Sequence, residues 1–214
     1  MTTVAAARPG WLSDPVRTVG VMELFRTGCV LCQAGTEPLC NACGGQLVPP
    51  PTSTVRGVGR LPALFAYEGV GAKVVQALKY RDGRRLVAPL ADGLCGLVPS
   101  GPLDLVSWIP TSSDRRNRRG FDQAELLARA LARRLGLPCR PVLRRVPGPS
   151  QTGRTRAERD RNVAFVPRRR CGGEGRLLLV DDVCTTGATV RSAAGALRAS
   201  VRVEPAFAVV ARTP

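Results

Sequence analysis

The chain contains no histidine. That absence excludes Ser-His-Asp and Cys-His nucleophilic catalysis and every imidazole metal ligand. Lysine is confined to Lys73 and Lys79, and aromatic residues make up only 4 % of the sequence. The core must therefore be built from Leu, Val and Ala, and the chain lacks the regular stacking platforms of a dedicated single-strand nucleic-acid binder. No apolar run approaches the ~20 residues of a membrane-spanning helix. The first 28 residues carry no continuous apolar block of a secretory signal, so a cytoplasmic protein is expected. The chemistry left available is that of carboxylates, arginines, hydroxyls, backbone dipoles or a metal.

What is abundant is arginine. Lys plus Arg outnumber Asp plus Glu by 32 to 16, a formal charge of +16 over 214 residues. A surplus of that size points to polyanionic partners, either phosphorylated small molecules or nucleic acid. A genome-wide arginine bias with solvated charges is the alternative, and it explains arginine over lysine better than the surplus itself. The length suffices for one sizeable core plus a small appendage.

Residues 1–24 form an N-terminal segment with little pattern, 25–50 hold a four-cysteine module, 51–60 read as a proline-led linker, and 61–214 form the main domain. Within that domain strand-like and helix-like segments alternate. LPALFAY (61–67), LDLVSWI (103–109), CRPVLRRV (139–146), AFVP (164–167), RLLLVDD (176–182) and VEPAFAVVA (203–211) read as strands. Helices are expected at 71–98, as one or two pieces, at 122–136 and at 189–200, the last with Val190, Ala193, Ala194 and Leu197 inward. Residues 147–162 have no apolar periodicity and read as a loop. The fold class expected is α/β, a parallel sheet with helices on both sides.

Cys29, Cys32, Cys40 and Cys43 are spaced C-x2-C-x7-C-x2-C. Two cysteines three positions apart on a tight turn can aim both thiolates at one ion, and two such knuckles complete a tetrahedral zinc site. An all-sulfur site is closed and hence structural. Two disulfides or four unrelated thiols are the competing readings, and disulfides conflict with a cytoplasmic location.

The sharpest signal is LLLVDDVCTTGATV, 177–190. A buried strand runs into Asp181 and Asp182, and Thr185, Thr186, Gly187, Ala188 and Thr189 turn into a helix. In a parallel sheet, ligands bind at the carboxyl ends of strands. The turn offers backbone N–H groups, hydroxyls and a positive helix end, the makings of a monophosphate cradle, with Gly187 allowing close backbone approach. Carboxylates beside a phosphate are tolerated if they face sugar hydroxyls instead, so a sugar phosphate is the expected ligand. A helix N-cap with two solvated aspartates is the plainer alternative. No G-x-x-x-x-G-K-[ST] occurs, so this is not a P-loop.

This stretch resembles the ribose-phosphate loop of the type I phosphoribosyltransferases. The cysteine knuckle, FAYEG (65–69), ALKYRDGR (77–84), IPTSSDRRNRRGFDQAELLARAL (109–131), QTGRTRAERDRN (151–162) and LLLVDDVCTTGAT (177–189) follow one another as in the ComF family of competence proteins. Asp122 stands where members with RGFNQ carry asparagine, whereas Arg115 and Arg119 are kept. The resemblance implies a type I phosphoribosyltransferase fold with an N-terminal zinc module. It also implies binding of phosphoribosyl pyrophosphate with Mg2+ and transfer of the phosphoribosyl group to an unidentified acceptor base. Asp181, Asp182, Arg115, Arg119 and Arg159 would do the catalytic work. Asp181, Asp182, the 185–189 turn, Lys79 and Arg81 would bind the ligand. The 110–120 segment would be the pyrophosphate loop and 147–162 a lid. The family name adds DNA uptake, and the superfamily adds a tendency to dimerise. The alternative is a non-catalytic accessory factor that binds single-stranded DNA during import and retains the nucleotide pocket.

Overall fold

The computed structural model describes residues 28–51, 54–80, 82–146, 164–168, 176–200 and 205–214. Its elements in chain order are α1 (Asn41–Gly44), β1 (Thr54–Val55), β2 (Gly59–Arg60), β3 (Ala63–Ala66), α2 (Gly69–Leu78), a 3-10 turn (Asp82–Leu86), α3 (Val87–Cys95), β4 (Leu105–Trp108), α4 (Ser113–Arg119), α5 (Gln123–Leu135), β5 (Leu143–Val146), β6 (Ala164–Pro167), β7 (Leu177–Cys184), α6 (Ala188–Ser200) and β8 (Pro205–Arg212).

Four strands form the central sheet in the order β3-β8-β7-β4, with every neighbouring pair parallel. β7 is apolar from Leu177 to Val180 because it is covered on both faces. Leu178 and Val180 pack with Ala208 and Val210 against Val74, Leu78, Leu90, Leu94, Leu127 and Leu131 of α2, α3 and α5. Leu177 and Leu179 point the other way, with Phe207 and Val209, onto Val190, Ala193, Ala194 and Leu197 of α6. The four inward positions expected on the last helix are all buried. The expected α/β class, a parallel sheet flanked by helices with a small cysteine module at its N-terminal side, is the one observed. β5 and β6 pair as an antiparallel hairpin, and Leu143 and Phe165 bring it into the core on the α6 side.

Three segments differ from expectation. The helical stretch at 71–98 is broken into α2, the 3-10 turn and α3. Gly83 marks the break: a Cβ there would lie 1.9 Å from the carbonyl oxygen of Ala77, so the chain folds back where only glycine fits. Residues 54–60, expected as linker, pair as the β1–β2 hairpin. Val55 is buried in the α6-side core, and Arg198 and Arg212 donate to the carbonyls of Gly57 and Thr54. The arginine-rich stretch after β4 is helical rather than a loop. Ser112 caps α4 by accepting from Arg115 N–H, Asp114 lies in its first turn, arginines fill its last, and Gly120 ends it in the left-handed conformation.

Helix α5 is placed by Asp122. One carboxylate oxygen accepts from the backbone N–H groups of Ala124 (3.1 Å) and Glu125 (3.4 Å), capping the helix. The other accepts from Thr111 N–H at 2.9 Å, tying the exit of β4 to the start of α5. At the far end Gly136 closes the helix in the left-handed conformation, and Arg134 forks onto Asp92, joining α5 to α3. Replacing Asp122 by Ala removes the cap and orphans the Thr111 amide. Asp122→Ala should lower unfolding stability by about 1–2 kcal/mol, read as a lower urea midpoint at unchanged slope.

Candidate functional site

The two aspartates do not end their strand. β7 pairs with β8 through Cys184, opposite Arg212, but with β4 only through Val180, opposite Trp108. After Val180 the β4 chain turns away at Ile109 and Pro110. Asp181 and Asp182 therefore sit on a strand edge that has lost one neighbour, and the gap is a cleft of about 390 Å3. It is lined by Asp181, Asp182, Thr185 and Thr189 from the β7–α6 junction, Arg115 and Arg119 from α4, and Lys79 from the end of α2. These residues, 110 positions apart at the extremes of Lys79 and Thr189, were the separate candidates of the sequence, and the fold brings them together.

Thr186, Gly187 and Ala188 belong to the same turn but do not line the cleft. Gly187 has φ of +73° and lies under the β1–β2 hairpin, where a Cβ would come within 2.8 Å of the Val55 side chain. Left-handed geometry and this close packing both require glycine there. Arg81 and Arg159, with the whole 147–162 segment expected as a lid, lie outside the described residues.

Sequence reasoning missed Tyr67, Asp122, Gln123 and Arg145 as cleft residues. An acid just before an amphipathic helix is a capping signal, and it could have placed Asp122. Arg145 could not be foreseen, because it reaches the cleft only through the folding of the β5–β6 hairpin. Gln123 is 2 % exposed. Its carbonyl oxygen accepts from Arg119 at 3.0 Å, so its amide nitrogen faces elsewhere and has no partner. A guanidinium can only donate, which fixes this orientation of the amide.

Charge is concentrated and imperfectly compensated. Asp181 is pushed well above the usual carboxylate range, first by burial and then by the negative charge of Asp182, although Asp182 N–H donates to it at 2.8 Å. Asp122 is raised by burial, partly offset by its three backbone donors, with Asp182 adding to the rise. Arg119 is lowered by burial, and Arg115 and Arg118 add to that while Asp182 opposes it. An apo cleft with crowded acids on one wall and crowded cations on the other is suited to a ligand that carries hydroxyl donors and negative charge in different places.

The four cysteines lie apart from this cleft. Their sulfurs are all within 4.8 Å of one another, and those of Cys32 and Cys40 are 3.5 Å apart. A tetrahedral ion at about 2.3 Å from each sulfur needs sulfurs about 3.8 Å apart, so the cluster has the size and donor set of a metal site. All four are free thiols. Burial alone would raise Cys29, but backbone N–H groups of Cys40, Cys32 and Leu31 outweigh it and bring the thiol down to about 6. Cys43 is pushed up by burial and by the neighbouring sulfurs, as expected where thiolates gather without a cation between them. The module is part of the core. Cys29, Leu39 and Cys43 pack in the same cluster as α2 and α3, and Arg85 donates to the carbonyls of Gly28 and Thr36.

The described part of the chain is thus a parallel α/β protein with a charged cleft at the carboxyl edge of its sheet and a four-thiol module built into its core. No family model matches the chain. It is 37 % identical over 140 residues to competence protein ComFC of Bacillus subtilis (strain 168), an overlap of 63 % of this chain and 56 % of that relative. The chain spans little more than half the length of that curated relative. It is a homologue of ComFC, a ComF-like protein. Among solved structures it is similar to adenine phosphoribosyltransferase from Thermoanaerobacter pseudethanolicus, at 19 % identity and a TM-score of 0.37 over 64 % of this chain and 71 % of that one. The enzyme from Leishmania tarentolae gives 16 % identity and the same score of 0.37, over 64 % and 74 % of the two chains.

The raised carboxyls set the pH response of the free protein. An acid held above its unfolded value favours the protonated folded state, so its stabilising share is complete in acid and is lost as pH rises from 3.8 through the raised folded value. Urea midpoints measured from about pH 4 upward should fall with pH by this component, and Asp181→Asn should flatten the fall. An unchanged profile in Asp181→Asn would contradict it.

Proposed function

We propose that the cleft binds phosphoribosyl pyrophosphate with Mg2+ and that the protein is a phosphoribosyltransferase acting on an acceptor base, serving DNA uptake. The observation that carries this reading is the meeting of Asp181, Asp182, Thr185 and Thr189 with Arg115, Arg119 and Lys79 around one cleft. The two aspartates accept hydrogen bonds from the ribose hydroxyls. The 185–189 turn, at the start of a thirteen-residue helix, takes the 5′-phosphate. Arg115, Arg119 and Lys79, across the cleft, face the pyrophosphate.

Adjacent carboxylates, one of them held partly protonated by its neighbour, fit a shared divalent cation, and Asp181 and Asp182 would hold it. When bound, Mg2+ neutralises charge between ribose and pyrophosphate oxygens. No nucleophilic side chain is required. As the bond from the anomeric carbon to pyrophosphate lengthens, positive charge grows on the sugar beside the aspartates. Negative charge grows on the departing oxygens beside the cations. The work is positioning plus neutralisation, within reach of a chain without histidine. The word competence in the relative's name supports a place in transformation, and the absence of any helix long and apolar enough to cross a membrane, among the described residues, is compatible with a cytoplasmic site of action. The formal charge of +16 supports a second reading, a non-catalytic accessory factor that binds incoming single-stranded DNA and other parts of the uptake machinery. We further propose that the four thiols hold one structural zinc ion, and that the protein forms a homodimer.

Calorimetric titration of phosphoribosyl pyrophosphate with Mg2+ tests the first reading. Each lost charge-assisted group costs about 1.5–3 kcal/mol, so the double variant Asp181→Asn/Asp182→Asn should bind at least about a hundredfold more weakly. The ligand's hydroxyls favour ionised Asp181, whose free-state value is raised, so binding should release protons and tighten as pH rises to that value. The binding enthalpy should accordingly vary with the ionisation enthalpy of the buffer. A folded wild type that ignores the ligand, yet binds oligonucleotides with a steep salt dependence, would move the assignment to the accessory role.

Elemental analysis should find one zinc per chain. Chelation should expose the four thiols to alkylation and lower the melting temperature of the whole domain, because Cys29, Leu39 and Cys43 are core residues. Unchanged melting after complete metal removal would contradict a structural role.

A further inference from the structure

A second depression of about 490 Å3 lies beside the first and shares Lys79 and Arg119 with it. Its other lining residues are Tyr80, Asn117, Arg118 and Gly120. No acidic residue is among them. Tyr80 is 72 % exposed, a large aromatic surface left in water at the end of α2. The neighbouring Arg116 is held by Glu125 at 3.5 Å, and Gly120 N–H satisfies the end of α4 by bonding Arg116 O. Arg118 has no such duty, and neither it nor Lys79 makes an ion pair among the described residues. An exposed ring flanked by two uncommitted cations, with an amide side chain at Asn117, makes little sense as a solvated helix end. It suits a planar ring that bears its own negative charge.

We propose that this depression receives the acceptor and that the acceptor is a small heteroaromatic ring carrying an anionic group, rather than a neutral base. Tyr80 stacks on the ring, Arg118 binds its anionic group, and Asn117 supplies hydrogen bonds to ring heteroatoms. Lys79 and Arg119 lie on the shared wall and place the ring next to the ligand of the first cleft. The assignment of the ring as acceptor rests on the phosphoribosyl reading, whereas the affinity of the depression for an anionic ring does not.

Orotate and uracil are a matched pair of probes, with and without a carboxylate on the same ring. Each is titrated into the zinc-loaded protein, alone and with phosphoribosyl pyrophosphate and Mg2+ present. Orotate should bind at least about tenfold more tightly than uracil. Tyr80→Ala and Arg118→Ala should each weaken orotate by about tenfold and leave phosphoribosyl pyrophosphate binding unchanged. Arg118→Lys should restore part of the orotate affinity. Equal binding of the two probes, or orotate binding indifferent to both variants, would overturn the proposal. So would binding of thymidine oligonucleotides through Tyr80 and Arg118 with none of orotate. Orotate binding through these residues in a protein that ignores phosphoribosyl pyrophosphate would keep the anionic-ring site and defeat the phosphoribosyl reading instead.

Discussion

Strand β7 outruns its neighbour β4 by four residues, pairing with it to Val180 and with β8 to Cys184. Up to Val180 the strand is enclosed by sheet neighbours on both edges and by helices on both faces, and only apolar side chains satisfy that environment. Beyond Val180 one edge is open, and Asp181 and Asp182 occupy it. The cleft exists because of this difference in register, and each other cleft residue is held in relation to it. Asp122 anchors the departing β4 chain to α5, so the gap stays open at a defined width. Gly187 lets the β7–α6 turn tuck beneath Val55, which packs the hairpin of residues 54–60 behind the turn.

Electrostatics follows from the same geometry. Carboxylates placed at a half-open edge are desolvated without being paired, and the arginines of α4 crowd one another across the gap. Such an arrangement is costly in the free protein and is relieved by a ligand that brings hydroxyl donors to one wall and anionic oxygens to the other. A site built this way stores part of its binding free energy as unsatisfied charge. The unpartnered amide nitrogen of Gln123, buried beside Arg119, belongs to the same pattern of polar groups left incomplete around the cleft. The four-thiol module repeats the pattern on a smaller scale: sulfurs gathered within 4.8 Å need a cation to share their charge.

Much of the fold was legible in the sequence because it depends on local periodicity. The continuous apolar run of β7 and the inward stripe of α6 are short-range patterns with one good solution, and both appear where expected. The errors fall where a local pattern was ambiguous. The 110–120 segment was expected as a loop on account of its arginines, yet its Ser112 cap, Asp114 and Gly120 are helix signals that prevail. The helical run from 71 to 98 concealed the break at Gly83, since a glycine in an amphipathic pattern does not announce a reversal. The prolines at 49–51 suggested a linker, and the hairpin after them is stabilised by Val55 in a distant core, which no local rule contains.

The sequence by itself determined the chemistry available: no imidazole, a strand running into paired carboxylates, a threonine-glycine turn, a surplus of arginine and four cysteines at metal-binding spacing. These follow from residue identity and short-range spacing, which the chain carries however it folds. Only the tertiary structure decided which of those groups meet. It brought Lys79, Arg115 and Arg119 to the aspartates, added Tyr67, Asp122, Gln123 and Arg145, turned Tyr80 and Arg118 to a second depression, and set the cysteine module into the main core. The reason is that strand register and helix docking are settled by burial of the whole apolar surface at once, a global condition that no window of sequence contains.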